Sequence, residues 1–134
     1  YEAIILASMV EKETGYGPDR AKIGSVFLNR LRSEMRLESD PTVIYGLGDA
    51  FDGDLKRHHL RRDNPFNTYT RFGLPPTPIA SPGRESINAV LSEVKPPFYY
   101  FVAMGNGKSY FSKNYKEHLA AVKRYQLGNS RRAP

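Results

Sequence analysis

EAIILASMVEKETG, residues 2–15, begins as a greasy stretch and closes on two carboxylates. Ile4, Ile5, Leu6, Met9 and Val10 cover much of a helix's circumference, so a helix over residues 2–14 belongs at the centre of a core. Gly15 is its natural stop. A second helix follows from about Pro18 to Ser33, with Ile23, Val26, Phe27 and Leu31 at helical spacing and Pro18 in the tolerated first turn. Further out, Ser81-Pro82-Gly83 opens a third helix whose Ile87, Val90, Leu91 and Val94 form one apolar stripe, ended by Lys95-Pro96-Pro97. Phe98 to Met104 reads as a strand, Gly105-Asn106-Gly107 as a turn and Lys108 to Ser112 as the returning strand. A last helix from about Asn114 to Leu127 carries Tyr115, Leu119 and Val122 on one face, with Gly128 as its C-terminal cap. Between the second and third helices, Arg36 to Gly83 is rich in Pro, Gly, Asn and Asp. One short helix fits there, Thr42 to Gly46, entered through Asp40-Pro41. The pattern is α+β and mostly helical, with a β-hairpin and a long irregular loop of the kind that lines a site.

Composition narrows the functions. The 134 residues make one domain, divided as residues 1–128 and a basic tail at 129–134. The longest apolar run, Ala3 to Ala7 and on past Ser8 to Val10, is too short to cross a bilayer. With no Cys, disulfide scaffolds, thiolate zinc sites and Cys nucleophiles are excluded. The first residue, Tyr1, lies against a helix with no Met and no signal-like region, as expected of a domain from a longer protein. A net charge of +6 favours anionic partners, and the excess concentrates in Lys56 to Arg62 and in Arg131-Arg132.

Among the residues able to do chemistry, Glu11 stands out. At about 100° per residue it falls between Ala7 and Ser8, whose small side chains leave room above the carboxylate. Glu13 lies on the opposite side, so the two cannot form a same-face pair. Both occupy the last turn, where the helix dipole disfavours an ionised carboxylate, and apolar surroundings push the pKa the same way. A Glu kept protonated is what a glycosidic oxygen requires of a general acid. Carboxylates at helix ends are also common solvated surface, with Lys12 at hand, and on periodicity alone that plainer reading is the stronger. His58-His59 lacks metal-ligand spacing, and adjacent histidines usually point apart, so a solvated or polyanion-contacting loop is expected. No Ser has the context of a hydrolase nucleophile. Tyr99, Phe101 and Phe111 alternate along strands and read as core, whereas Tyr45, Tyr69 and Phe72 fall in the loop, where rings can stack on sugars or bases.

Several segments in one order then carry a resemblance: ASMVEKET from Ala7, VFLNRLR from Val26, SDPTVIYG from Ser39, NTYTRFGLPPTPIASPG from Asn67 and YYFVAMGNGKSYFS from Tyr99. Together they resemble the catalytic domain of the YceG-like endolytic murein transglycosylases, the MltG type, across essentially the whole chain. The resemblance implies a lysozyme-like α+β catalytic domain and a lyase acting on peptidoglycan glycan strands. Such an enzyme cuts between N-acetylmuramic acid and N-acetylglucosamine and ends with attack by the muramic 6-hydroxyl, giving a 1,6-anhydro end. It implies Glu11 as acid and then base, Glu13 as a structural partner, and no metal or organic cofactor. Asp40, Tyr45, Asn67, Tyr69 and Thr70 are expected to line the saccharide groove, with Asp40 the candidate if a second carboxylate is needed. Also implied are a missing N-terminal small domain and single-pass anchor in the bacterial inner membrane, an extracytoplasmic catalytic domain, and a link to peptidoglycan synthases. The chain departs from the family pattern at Ser109, where a His is expected before Phe111. Two other readings stay open. One is a hydrolytic muramidase on the same substrate. The other is a noncatalytic nucleic-acid binder using Lys56 to Arg62, although no nucleic-acid motif accompanies that run.

Overall fold

The structure, a computed structural model, describes residues 1–93 and 95–125. Its helices are α1 (Glu2–Glu13), α2 (Gly17–Arg32), α3 (Asp40–Leu47), α4 (Arg57–Arg61), α5 (Arg84–Leu91) and α6 (Tyr115–Tyr125), with strands β1 (Tyr100–Ala103) and β2 (Ser109–Ser112) between the last two helices. This is the α+β, mostly helical arrangement expected, and α1 is its axis. Ile5 through Val10 are buried without interruption, because α2, α3 and α5 all pack against the helix. The core gathers Leu6, Ala7, Met9 and Val10 with Ile23, Phe27, Leu37, Ile79 and Val90.

Polar staples fasten the irregular segments to this core. The Ser8 hydroxyl donates to the Ile5 carbonyl at 2.6 Å and accepts the Ile79 amide at 3.0 Å. It thereby ties the proline-rich passage before α5 to the middle of α1. Buried Arg30 reaches the Tyr99 carbonyl through Nε at 2.8 Å and the Arg36 carbonyl through a terminal nitrogen at 3.0 Å. Asn29 donates to the carbonyls of Pro96 and Phe98. The hairpin is thus hung on the end of α2 by part-buried hydrogen bonds. Its register sets Phe101 opposite Phe111, and Gly105 and Gly107 take the positive φ angles of the turn. The Asp19 carboxylate accepts the Ser109 amide at 2.8 Å and fixes β2 to the start of α2.

Four expectations need correction. The stretch from Arg36 to Gly83 is more ordered than its composition suggests. Its helix α3 runs from Asp40 to Leu47, followed by a 3-10 turn at Gly48–Ala50 and the short α4. Gly46 makes this possible, since a Cβ there would lie 2.6 Å from Asn64 Oδ1 and 3.1 Å from the Phe66 Cβ. The helix α5 ends at Leu91, which is 63% exposed, so the apolar stripe contributes Val90 and the half-buried Ile87 but not Leu91. Val94 lies outside the described residues. On α6 the inward side is Ala121, while Tyr115 at 58% and Leu119 at 43% face outward. Helix and hairpin meet instead through rings, Tyr100 stacking on His118 with centroids 4.9 Å apart. Of the strand aromatics, Phe101 and Phe111 pack on the core as expected. Tyr99 stands apart, its carbonyl held by Arg30 and its amide by Ser112. The basic tail and Gly128 fall outside the described residues.

Candidate active site

Glu11 and Glu13 leave the end of α1 in different directions, and each meets the beginning of another helix. Glu11 meets α5. Its Oε1 accepts the Gly83 amide at 2.8 Å and the Ser86 hydroxyl at 2.8 Å. Gly83 is the residue just before the first turn of α5, and Ser86 is completely buried in that turn. Among the described residues Oε2 accepts no hydrogen bond, and the side chain is half-buried. The N-terminus of α5 thus takes one oxygen of the Glu11 carboxyl group.

The charge state of Glu11 differs from the expectation. The Gly83 amide and the Ser86 hydroxyl hold its pKa below the ordinary carboxylate value, against a smaller upward push from burial, and Arg20 and Lys12 add attraction. Sequence alone shows the dipole of the helix that carries Glu11 and its apolar neighbours, both of which oppose ionisation. The fold sets against them the exposed N–H end of a second helix, which favours negative charge and supplies donors.

Glu13 meets the entry of α3, where the Ser39 hydroxyl donates to its Oε2 at 3.1 Å. Behind Ser39 is a buried hydroxyl network. The Thr68 hydroxyl oxygen accepts the Ser39 amide at 2.9 Å and lies 2.8 Å from the Thr42 hydroxyl, which donates to the Ser39 carbonyl. Asp40 follows, and its Oδ1 accepts the Tyr69 phenol at 2.6 Å. Burial, then the charges of Glu38 and Glu13, push that phenol above its ordinary pKa, so it remains a donor.

The structure therefore joins Asp40 to Tyr69 directly. Tyr45 is 47% exposed on α3, its ring 5.0 Å from that of Phe66, and offers a face to solvent. Thr70 donates to Asp63 Oδ1 at 2.7 Å beside the Arg71–Asp63 ion pair. Asn67 is placed differently. It is 1% exposed, with Nδ2 donating to the Leu60 and Arg62 carbonyls at 3.1 and 2.8 Å and Oδ1 accepting the Tyr69 amide at 2.8 Å. It shapes the loop from inside and presents Tyr69. Phe72 is exposed under the Arg36 guanidinium, 4.3 Å from the ring centroid. His58 and His59 do not point apart: their rings lie 4.2 Å from each other, and His59 Nδ1 accepts the Lys56 amide. Sequence reasoning missed Ser86, Gly83 and Arg20. For the first two the only available signal was their position at the start of a helix, with nothing to say which carboxylate would arrive there.

The model of the YceG-like family matches residues 1–124. An endolytic murein transglycosylase of Bacillus subtilis is 42% identical over 125 residues, which are 93% of this chain and 34% of that protein. The endolytic murein transglycosylase of Streptococcus pneumoniae serotype 2 is 33% identical, over 87% of this chain and 22% of its own length. A crystal structure of a yceG-like protein from Listeria monocytogenes superposes with a TM-score of 0.83 at 42% identity, covering 90% of this chain and 39% of that one. The chain thus spans about a third of the length of the Bacillus relative it matches.

Proposed function

The chain belongs to the YceG-like family, and from that premise we propose that it is the catalytic domain of an endolytic murein transglycosylase. It would act on the glycan strands of peptidoglycan, cutting the β-1,4 bond between N-acetylmuramic acid and N-acetylglucosamine, with Glu11 as the acid–base group. The observation that carries the reading is the position of Glu11. It lies in the first of the motifs that carry the resemblance, with one carboxylate oxygen tied to α5 and the other accepting no hydrogen bond among the described residues.

The chemistry follows from one carboxyl group. Oε2 gives its proton to the glycosidic oxygen as the C1–O bond breaks, and the N-acetylglucosamine end leaves as the alcohol. Oε2 then takes the proton of the muramic 6-hydroxyl as O6 bonds to C1, closing the 1,6-anhydro ring and restoring the protonated acid. The sugar's own hydroxyl replaces water, so no second carboxylate is required, unlike ordinary glycosidases. In the free chain Glu11 is biased towards its ionised form. A strand laid over Oε2 excludes water and raises the pKa, so substrate binding itself favours proton uptake. Tyr45, Tyr69 with Asp40, and Thr70 line the groove, and Asn67 holds the loop that carries Tyr69 and Thr70. The remainder of the protein would include an N-terminal membrane anchor, place this domain outside the cytoplasm and bring it near peptidoglycan synthases. No helix among the described residues is itself long and apolar enough to span a membrane.

The test is digestion of purified sacculi with products resolved by mass spectrometry. Anhydro-muramyl ends that disappear in Glu11→Gln support the lyase. Reducing muramyl ends would replace it with a hydrolase, and undiminished activity in Glu11→Gln would sink the assignment.

A further inference from the structure

The geometry points to the Ser86 hydroxyl and the Gly83 amide as positioning groups for Glu11, holding Oε1 as a permanent acceptor so that Oε2 alone exchanges protons with the glycan. The inference rests on Glu11 being the acid–base group, and it names the atom and the support the reaction uses. Both donors lie 2.8 Å from the same oxygen. Ser86 is fully buried, so no water competes for its hydrogen bond. Two donors to one carboxylate oxygen fix the rotation of the carboxyl plane as well as its place.

The arrangement suits both halves of the reaction. When Oε2 carries the proton, Oε1 is a carbonyl oxygen and still accepts both bonds. When Oε2 has lost it, charge spreads onto Oε1 and the same bonds strengthen. The support therefore persists through the cycle and favours the base form without displacing the group. The charged side chains facing Glu11 are Lys12 on its own helix and Arg20 on α2, with the Glu85 carboxylate of α5 also beside Gly83. Gly83 is itself part of the fit. A Cβ there would stand 3.3 Å from Glu11 Oε1, although its backbone, φ −77° and ψ 173°, suits any residue. An alanine at that position would crowd the carboxylate without straining the chain.

The decisive measurement is a carboxyl-carbon NMR titration of Glu11, identified by its loss in Glu11→Gln, alongside kinetics on sacculi. Ser86→Ala deletes one buried oxygen, and Gly83→Ala is the independent variant should the first fail to fold. In both, the Glu11 midpoint moves up. In Ser86→Ala, kcat on the plateau of its own pH profile falls about tenfold with KM nearly unchanged. Ser86→Cys, of similar shape but a weaker donor, falls between Ala and the parent. A midpoint or a plateau kcat that does not move in folded Ser86→Ala would overturn the positioning role while leaving Glu11 as the acid–base group. An active Glu11→Gln chain would overturn that assignment instead, whatever the midpoint does.

Discussion

Two corners at the end of α1 invite comparison, because they hold the same residue type two positions apart. At the Glu11 corner, α5 supplies a backbone amide and a buried hydroxyl to one oxygen and leaves the other open. At the Glu13 corner, the entry of α3 supplies Ser39, backed by Thr42, Thr68 and the Tyr69–Asp40 pair. The first is a half-buried carboxylate held at one atom, the other accepting no hydrogen bond among the described residues, which suits proton transfer. The second continues into a buried network that joins α1 to the loop. Side-chain chemistry cannot account for the difference, since both are Glu on one helix. What differs is which helix end each one meets.

The largest expected contrast is between the two conservative variants. Glu11→Gln should lower turnover of sacculi by about 10²–10⁴-fold with little change in melting temperature, because the amide oxygen can still accept from Gly83 and Ser86. Glu13→Gln should retain most turnover and lose about 1 kcal/mol of stability. Equal losses of activity in both would break the comparison. Next in size is Asn67→Ala, which strips acceptor and donor from a side chain bonded to backbone groups of Leu60, Arg62 and Tyr69. Denaturant unfolding should register a loss of about 3 kcal/mol, with KM rising as Tyr69 loses its support. An unchanged Glu11 titration in that variant would sharpen the separation of the corners.

Thr68→Val keeps the shape of the network and removes its shared oxygen, leaving the Ser39 amide without a partner. A cost of about 1–2 kcal/mol is expected, read from the urea midpoint at constant slope. The smallest effect is in the pH dependence of stability. Glu11 has a folded pKa below its unfolded value, so its contribution is present above the ordinary Glu range. It is lost as pH falls from about 4.5 through the folded value. Stability curves of the parent and Glu11→Gln should therefore converge in acid. Divergence towards low pH would mean that the carboxylate is not held by its donors.

The legible parts of the fold were those with local causes. The apolar surround of residues 2–10 marks a central helix because few residues can be apolar on every side unless other elements cover them. The glycines at 105 and 107 mark a hairpin turn because the backbone there needs positive φ. Within Arg36–Gly83, propensity alone pointed to loop. Contacts distant in sequence, such as Ser39 with Thr68, Asp40 with Tyr69 and Gly46 with Asn64, order much of it. The outward face of α6 was misjudged for a related reason: periodicity finds an apolar stripe but does not say whether a neighbour covers it.

For the site, helical pitch set the separation of Glu11 from Glu13, whereas the expectation of a catalytic Glu11 came from the family resemblance and not from spacing. The sequence by itself also determined the helical class and the place of the hairpin. Only the tertiary structure decided the ionisation of Glu11, the joining of Asp40 to Tyr69 and the burial of Asn67. The physical reason is that a carboxylate's state depends on donors within about 3 Å. Those donors come from Gly83 and Ser86, more than seventy positions along the chain.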